Sequence, residues 1–342
     1  INHYIAGELE IENRVKNTVF GPIFPTQTCK GIYTPMLMPD GIHILLPLSP
    51  AQHSYYRGES DYHEECFPSL YRKKMTKADI FIERVKRCEM ERMILEYPIT
   101  NLFANSIQAK DPSGHWHQFH FRVGFDGMAQ HYGIKTEFMD MTLDPWIAAF
   151  FAATTYDFAT DSYLAITDTD KHPYGVFYLY NEMPIPFVKS PRIDVVGMQP
   201  LSRPGRQLAY VFKMRPKENF NLLVSKTFFR HDATINKKIV SRVNAENRLF
   251  PKELLSNRIR NEIVTANEFS MWAYNEAKRR YATEVNEDIL KQYLEMKHIV
   301  ISNKAKSWFS EAEKERAVDY WNTYQQELFD KIYVQWTYTD PN

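Results

Sequence analysis

The first stretch whose apolar positions recur at roughly helical spacing is residues 75–97, MTKADIFIERVKRCEMERMILEY, where Ile80, Phe81, Val85, Met90 and Leu95 form one face and the pattern stops at Pro98. Residues 115–133, HWHQFHFRVGFDGMAQHYG, predict a second helix, weakened by Gly124 and Gly127. Upstream, IHILLPL at 42–48 reads as a first strand, and residues 1–40, dotted with Pro and Gly turn signals, predict an irregular arm. Asp144 followed by Pro145 pairs an N-cap acceptor with a first-turn proline, so a helix is expected over 145–158. SYLAITDT, YGVFYLYN, QLAYVFKM and FNLLVSKTFF follow, short and rich in β-formers, with DKHPYG as a hairpin turn between the first two. From about residue 236 the pattern turns helical and charged, and Ala317, Tyr320, Trp321, Tyr324, Leu328 and Ile332 make one stripe, read as packing on the chain's own body. The expected fold is α+β: a small twisted antiparallel sheet flanked by helices within 41–262, then a helical region over 263–342.

Residues 131–155, HYGIKTEFMDMTLDPWIAAFFAATT, break the apolar logic, because small polar groups crowd the mouth of a hydrophobic helix and burying them without partners is costly. TEFMDMT reads as a short strand whose alternation puts Thr136, Phe138, Asp140 and Thr142 on one face. The strand runs into a helix N-terminus, where backbone amides and the helix dipole favour anions. The bland alternative is that Asp140 and Thr142 only cap that helix and satisfy loop amides.

Composition narrows the classes. The 342 residues carry 42 Lys and Arg against 42 Asp and Glu, so charge does not indicate nucleic acid, and basic runs such as YRKKMTK read as solvated faces. The longest apolar run, Pro145 to Ala153, is far shorter than the roughly 20 residues that span a bilayer, so no membrane is expected. Cys29, Cys66 and Cys88 include no CxxC pair, which argues against disulfides or a thiolate zinc site and for a reducing cytoplasm. His117 and His120 would share one helical face but lack further ligands, so no metal is expected.

The order YYRGES, FPSLYR, QHYGIKTEFMDMT, AAFFA and then Arg203 with Gln207 four residues on resembles the FRG domain family, named for a Phe-Arg-Gly tripeptide. The resemblance spans about 53–262, with Tyr56 in place of the naming Phe, Met139 and Met141 in place of more usual Leu and Trp, and Ala209 where Gly is usual. The layout is similar to that of ADP-ribosyltransferases, in which an Arg on an early strand, a Ser or Thr on a second strand entering a helix, and a Glu or Gln on a later strand grip NAD. The resemblance implies NAD as substrate, held by Arg57, Gly58, His131, Tyr132, Gly133, Thr136 and Thr142, with Gln207 in the place of the catalytic acid and Asp140 supplying the carboxylate that Gln207 lacks. Arg57 would bind the NAD phosphates or the nicotinamide ribose, Gly58 would let backbone approach the ligand, and Tyr132 would stack on nicotinamide. It implies an ADP-ribosyltransferase or NAD glycohydrolase acting on an unknown macromolecular target, in an oligomeric state the residues do not specify; the alternative is a non-catalytic nucleotide- or peptide-binding regulatory module.

Three expectations follow for the structure. Arg57, His131, Asp140 and Thr142 should line one concave site, and Arg57 on the opposite sheet face from Thr142 would sink the whole functional reading. Arg57 could instead be an ion-pair partner of Asp140 or Glu59. Gln207→Glu should preserve or raise turnover, since a carboxylate stabilises a developing ribosyl cation better than an amide.

Overall fold

The structure, a computed structural model, describes residues 31–47, 53–72, 75–157, 160, 162–182, 190–251, 253–281, 285–304 and 307–334. Residues 1–30 of the expected arm, Cys29 among them, lie outside the described residues. The arm's last part forms strand β1 (Tyr33–Leu37), which pairs antiparallel with β2 (His43–Pro47).

Next come strand β3 (His53–Glu59) and the periodic helix α1 (Lys77–Glu96). Thr76 caps α1, accepting from the Asp79 amide while Asp79 returns a bond to the Thr76 amide. Pro98 does not merely end α1; it opens α2 (Pro98–Asn105), as a first-turn proline can. The helix expected over 115–133 is corrected. Trp116–Phe119 is a strand, β5, paired with β4 (Ile107–Lys110) across a turn in which Gly114 takes φ 91°. Only Phe125–His131 is helical, as α3. His117 therefore sits on a strand, 3.1 Å from Asp111, and His120 faces Asn105.

Strand β6 (Phe138–Thr142) leads into α4 (Pro145–Ala152), capped as expected by the Asp144 carboxylate on the Trp146 amide at 2.7 Å. That helix stops at Ala152 rather than 158, because β-branched Thr154 and Thr155 open β7 (Thr154–Asp157). Strand β8 (Ser162–Ala165) pairs with β7 and not with β9 (Tyr174–Glu182), so DKHPYG is not a hairpin turn between partners. Then follow β10 (Ile193–Val195), the short helix α5 (Ser202–Arg206), β11 (Ala209–Lys213) and β12 (Ser225–Arg230). Phe220–Leu222, expected in a strand, is a 3-10 turn.

The principal sheet has six antiparallel strands in the order β10-β11-β6-β3-β9-β12. Its two halves hardly join: β3 shares seven register pairs with β9 but one, Tyr56 with Thr142, with β6. Helix α4 covers one face, where Tyr56, Ala148 and Phe177 pack together.

The C-terminal part continues through α6 (Ala233–Val243), α7 (Leu254–Ile259) with a π-turn at Arg260–Val264, α8 (Met271–Tyr281), α9 (Glu287–Met296) and α10 (Glu311–Phe329). A parallel pair absent from the sequence reading, β13 (Glu268–Ser270) and β14 (Val300–Ser302), brackets α8 and α9. The α10 stripe is buried as expected: Ala317, Trp321, Tyr324 and Leu328, with Ile332 beyond the helix end, join one core with Tyr33, Tyr97 and Tyr210. Helix α8 packs on α1 through Ala273, Ala277, Phe81 and Val85.

Arg87 of α1, 2 % exposed, ties these layers together, with Nη2 2.6 Å from Glu137 and Nη1 3.2 Å from Asp126 and 3.3 Å from the Tyr281 hydroxyl. Burial alone would raise the Glu137 carboxyl, but the Arg87 charge and hydrogen bonds outweigh it and hold the group below its ordinary 4.5. A depressed folded-state pKa stabilises the fold above the unfolded-state value and loses that contribution as pH falls through the lower, folded-state value. Unfolding free energy measured against pH should therefore fall on the acid side of 4.5, and Glu137→Gln should flatten that limb. An unchanged limb would remove this pair from the acid response.

Candidate functional site

The motif residues are best judged by what each side chain already holds. Gly58 is the plainest case. A Cβ there would overlap the Ala148 carbonyl oxygen and lie 2.7 Å from Ala152 Cβ and 2.8 Å from its amide nitrogen. The glycine lets α4 lie directly on β3, which corrects its assignment to backbone approach by a ligand. Gly133, at φ 86°, ends α3 in the left-handed conformation that glycine adopts without cost.

Thr136 is fully buried; its hydroxyl donates to Gln130 Oε1 and accepts from the Phe138 amide at 3.2 Å. Tyr132 is buried too, donating to Glu253 Oε2 at 2.8 Å. Neither has a surface to offer a ligand. Thr142 donates to the Gln207 carbonyl at 2.8 Å and accepts from the Asp144 amide at 3.1 Å, stapling the β6–α4 turn to the α5–β11 turn. The helix N-terminus beyond it is closed by the Asp144 carboxylate rather than open to an anion.

Gln207 does not lie on a strand. It caps α5, and the chain enters β11 through Leu208 at φ 46°. Its Nε2 donates to the Leu249 carbonyl at 3.1 Å, which turns Oε1 toward His131 Nδ1 at 3.2 Å. Both oxygens accept only, so Nδ1 carries the imidazole proton and Nε2 holds the lone pair. Nε2 points at Asp140 Oδ1, 3.6 Å away, and both atoms are buried without a hydrogen-bond partner. Burial lowers the His131 pKa against the pull of Asp140, keeping the ring neutral at neutral pH. Asp140 Oδ2 accepts from Gln130 at 3.3 Å, and its side chain is 37 % exposed.

Arg57 reaches this cluster from behind. Register pairs Tyr56 with Thr142, so these two share a face, and Arg57, one residue on, leaves β3 on the other. The expectation that Arg57 and Thr142 line one concave surface is corrected, and with it falls the expected arrangement in which Arg57, Thr142 and Gln207 together grip NAD; Thr142 and Gln207 drop out of the ligand-facing set. The guanidinium turns into the gap between β3 and β6, where Nη1 donates to the Asp140 backbone carbonyl at 3.0 Å. Its ion pair is with Glu59, through Nε at 3.0 Å and Nη2 at 2.8 Å. Of the expected set, the gap brings together Arg57, Asp140 and His131.

Two residues to which the sequence reading assigned no role stand beside them. Tyr163 stacks on Phe250 at 4.8 Å, and its hydroxyl is pushed up to about 12, by burial first and by Asp140 next. Arg203 lies over the rings of Tyr132 and Phe250, and Nη1 donates to the His131 carbonyl at 3.4 Å. Arg203 was visible as the first member of the Arg and Gln spacing. Tyr163 carried no signal beyond its place in a strand.

The fold is thus an α+β domain whose antiparallel sheet opens between β3 and β6, with a polar cluster at the opening. Residues 52–160 match the family model of the FRG domain. The match includes Arg57, His131 and Asp140 and ends before Arg203 and Gln207. No curated protein and no solved structure matches the chain. Among the described residues no helix is long and apolar enough to cross a membrane, and no group of three or more His, Cys, Asp or Glu could hold a metal ion.

Proposed function

We propose that the chain, although Arg57 and Thr142 do not share a sheet face, binds NAD beside β3 and β6 in a different arrangement, centred on Asp140 and His131, and is an ADP-ribosyltransferase or NAD glycohydrolase. One observation carries the reading: His131 Nε2 and Asp140 Oδ1 face each other at 3.6 Å, both buried and without a hydrogen-bond partner, beside the strand junction where β3 shares a single register pair with β6. In this reading nicotinamide leaves ribose C1′ with the bonding electron pair, and the cation left behind is stabilised by the Asp140 carboxylate. Water or a target nucleophile then adds to C1′, and the His131 Nε2 lone pair takes its proton. Gln207 acts only by holding the His131 tautomer, since both ends of its amide are engaged.

Purified protein incubated with NAD and cell extract should release nicotinamide, measured by chromatography. Asp140→Asn should lower release by about 100- to 1000-fold, the range for losing one preorganised electrostatic group. Gln207→Glu should lower release as well, reversing the sequence-based expectation, because a carboxylate would face the Leu249 carbonyl in a buried site. Turnover unaffected by Asp140→Asn would sink the mechanism.

The second reading, a non-catalytic nucleotide-binding module, is favoured by the scaffold roles of Thr142 and Gln207. It predicts that NAD raises the melting temperature while no nicotinamide appears in any variant. The absence of both turnover and stabilisation would end the NAD assignment.

A further inference from the structure

We infer that Arg203, rather than Arg57, is the residue that grips the phosphate groups of the ligand, and that those groups form a pyrophosphate. The inference deepens the proposed NAD site and rests on its location. Three described arginines have a buried Nε without a hydrogen-bond partner: Arg87, Arg203 and Arg206. Arg87 has Glu137 and Asp126, and Arg206 has Glu327, as charge partners. Arg203 has no carboxylate within ion-pair distance among the described residues. What surrounds it is two aromatic rings, centred 4.9 and 5.5 Å from the guanidinium carbon, and one long bond to the His131 carbonyl.

Such a setting leaves a planar cation with faces covered and edges underused. The guanidinium has five N–H donors and no acceptor, and the edge not bonded to His131 presents the fork that matches two phosphate oxygens. Arg57 is poorly placed for the same work, because Nε and Nη2 already hold Glu59 and Nη1 holds the Asp140 carbonyl; an incoming phosphate would have to displace a carboxylate. Polarity along the ligand fits as well. Arg203 bonds the His131 backbone, while the Asp140 carboxylate stands at that residue's ring Nε2, so anionic and cationic ends of one dinucleotide would fall on opposite sides of His131.

The test uses inorganic pyrophosphate and ADP-ribose as probes, with adenosine as the probe lacking phosphate, read by calorimetry and thermal shift on the full chain. Pyrophosphate and ADP-ribose should bind wild type. Arg203→Gln should weaken both at least tenfold, Arg203→Lys should lose less because the charge remains without the fork, and Arg57→Lys should keep most of the affinity. Equal affinity in Arg203→Gln, loss confined to the Arg57 variant, or no pyrophosphate binding by wild type each overturns the inference. Should Arg203→Gln fail to fold, arginine-selective dicarbonyl labelling of wild type, mapped by mass spectrometry, should show Arg203 protected by pyrophosphate, and lack of protection overturns it equally. The two proposals fail separately: NAD turnover with an unchanged KM in Arg203→Gln removes the Arg203 role alone, whereas Arg203-dependent pyrophosphate binding without nicotinamide release removes the enzyme reading alone.

Discussion

Phe150→Ala is expected to lower the unfolding free energy by about 3 to 5 kcal/mol in a denaturant titration. The ring is wholly buried in the cluster that α4 forms with Leu208, Ile239, Val243 and Leu249, and it meets Phe151, Tyr163 and Phe250 at 5.3, 5.8 and 6.0 Å. Removing it opens a cavity in a layer that cannot close without moving α4 off the sheet. Phe151, the next residue of the same helix, is only partly buried, so Phe151→Ala should cost less. Tyr163 and Phe250 form the apolar side of the polar cluster, so loss of Phe150 should also weaken any ligand bound there. Equal costs at Phe150 and Phe151 would show that burial does not govern this layer.

The second large effect is expected at Gly58, where alanine should destabilise the fold by about 3 kcal/mol or more, the upper end for overpacking a tight contact. The atoms in the way are mainly the Ala148 carbonyl and the Ala152 amide, which move only if the helix moves. Arg57→Ala, one residue away, should cost much less, since the side chain is 18 % exposed and its ion pair with Glu59 is a partly solvated one. The contrast separates two roles within one tripeptide: glycine for helix-on-strand contact, arginine for the opening. A Gly58→Ala protein as stable as wild type would mean that α4 can lift from β3, and the rigid frame assumed for the site would be lost.

Local chemistry was legible in the sequence wherever neighbouring residues decide the outcome. The apolar period of 75–97 made α1, because a 3.6-residue repeat has one way to bury a face. Asp144 with Pro145 marked the start of α4, because a cap needs only its own next turn. The stripe from Ala317 to Leu328 pointed to packing, and it packs. Local reading failed where two local patterns compete: HWHQF satisfies a helical spacing loosely and strand alternation equally well, and pairing with Ile107–Lys110 decided for the strand.

The site followed the same division. Arg57 donates to the Asp140 backbone carbonyl and His131 Nε2 stands 3.6 Å from Asp140 Oδ1, so three residues singled out from the sequence are neighbours in the fold. Which polar groups remain available to a ligand was not readable, because that depends on partners far along the chain: Thr142 is satisfied 65 residues away and His131 76 residues away, both at Gln207. Alternation within β6 tells which residues share a face, but only the register of β6 against β3 tells that Arg57 lies on the other one. The sequence by itself determined the elements whose stability is local and the presence of a polar cluster ahead of α4. Tertiary structure alone decided which members of that cluster are scaffold and which face the opening, because a hydrogen bond is consumed by whichever group the fold brings to it, and sequence spacing carries no record of that meeting.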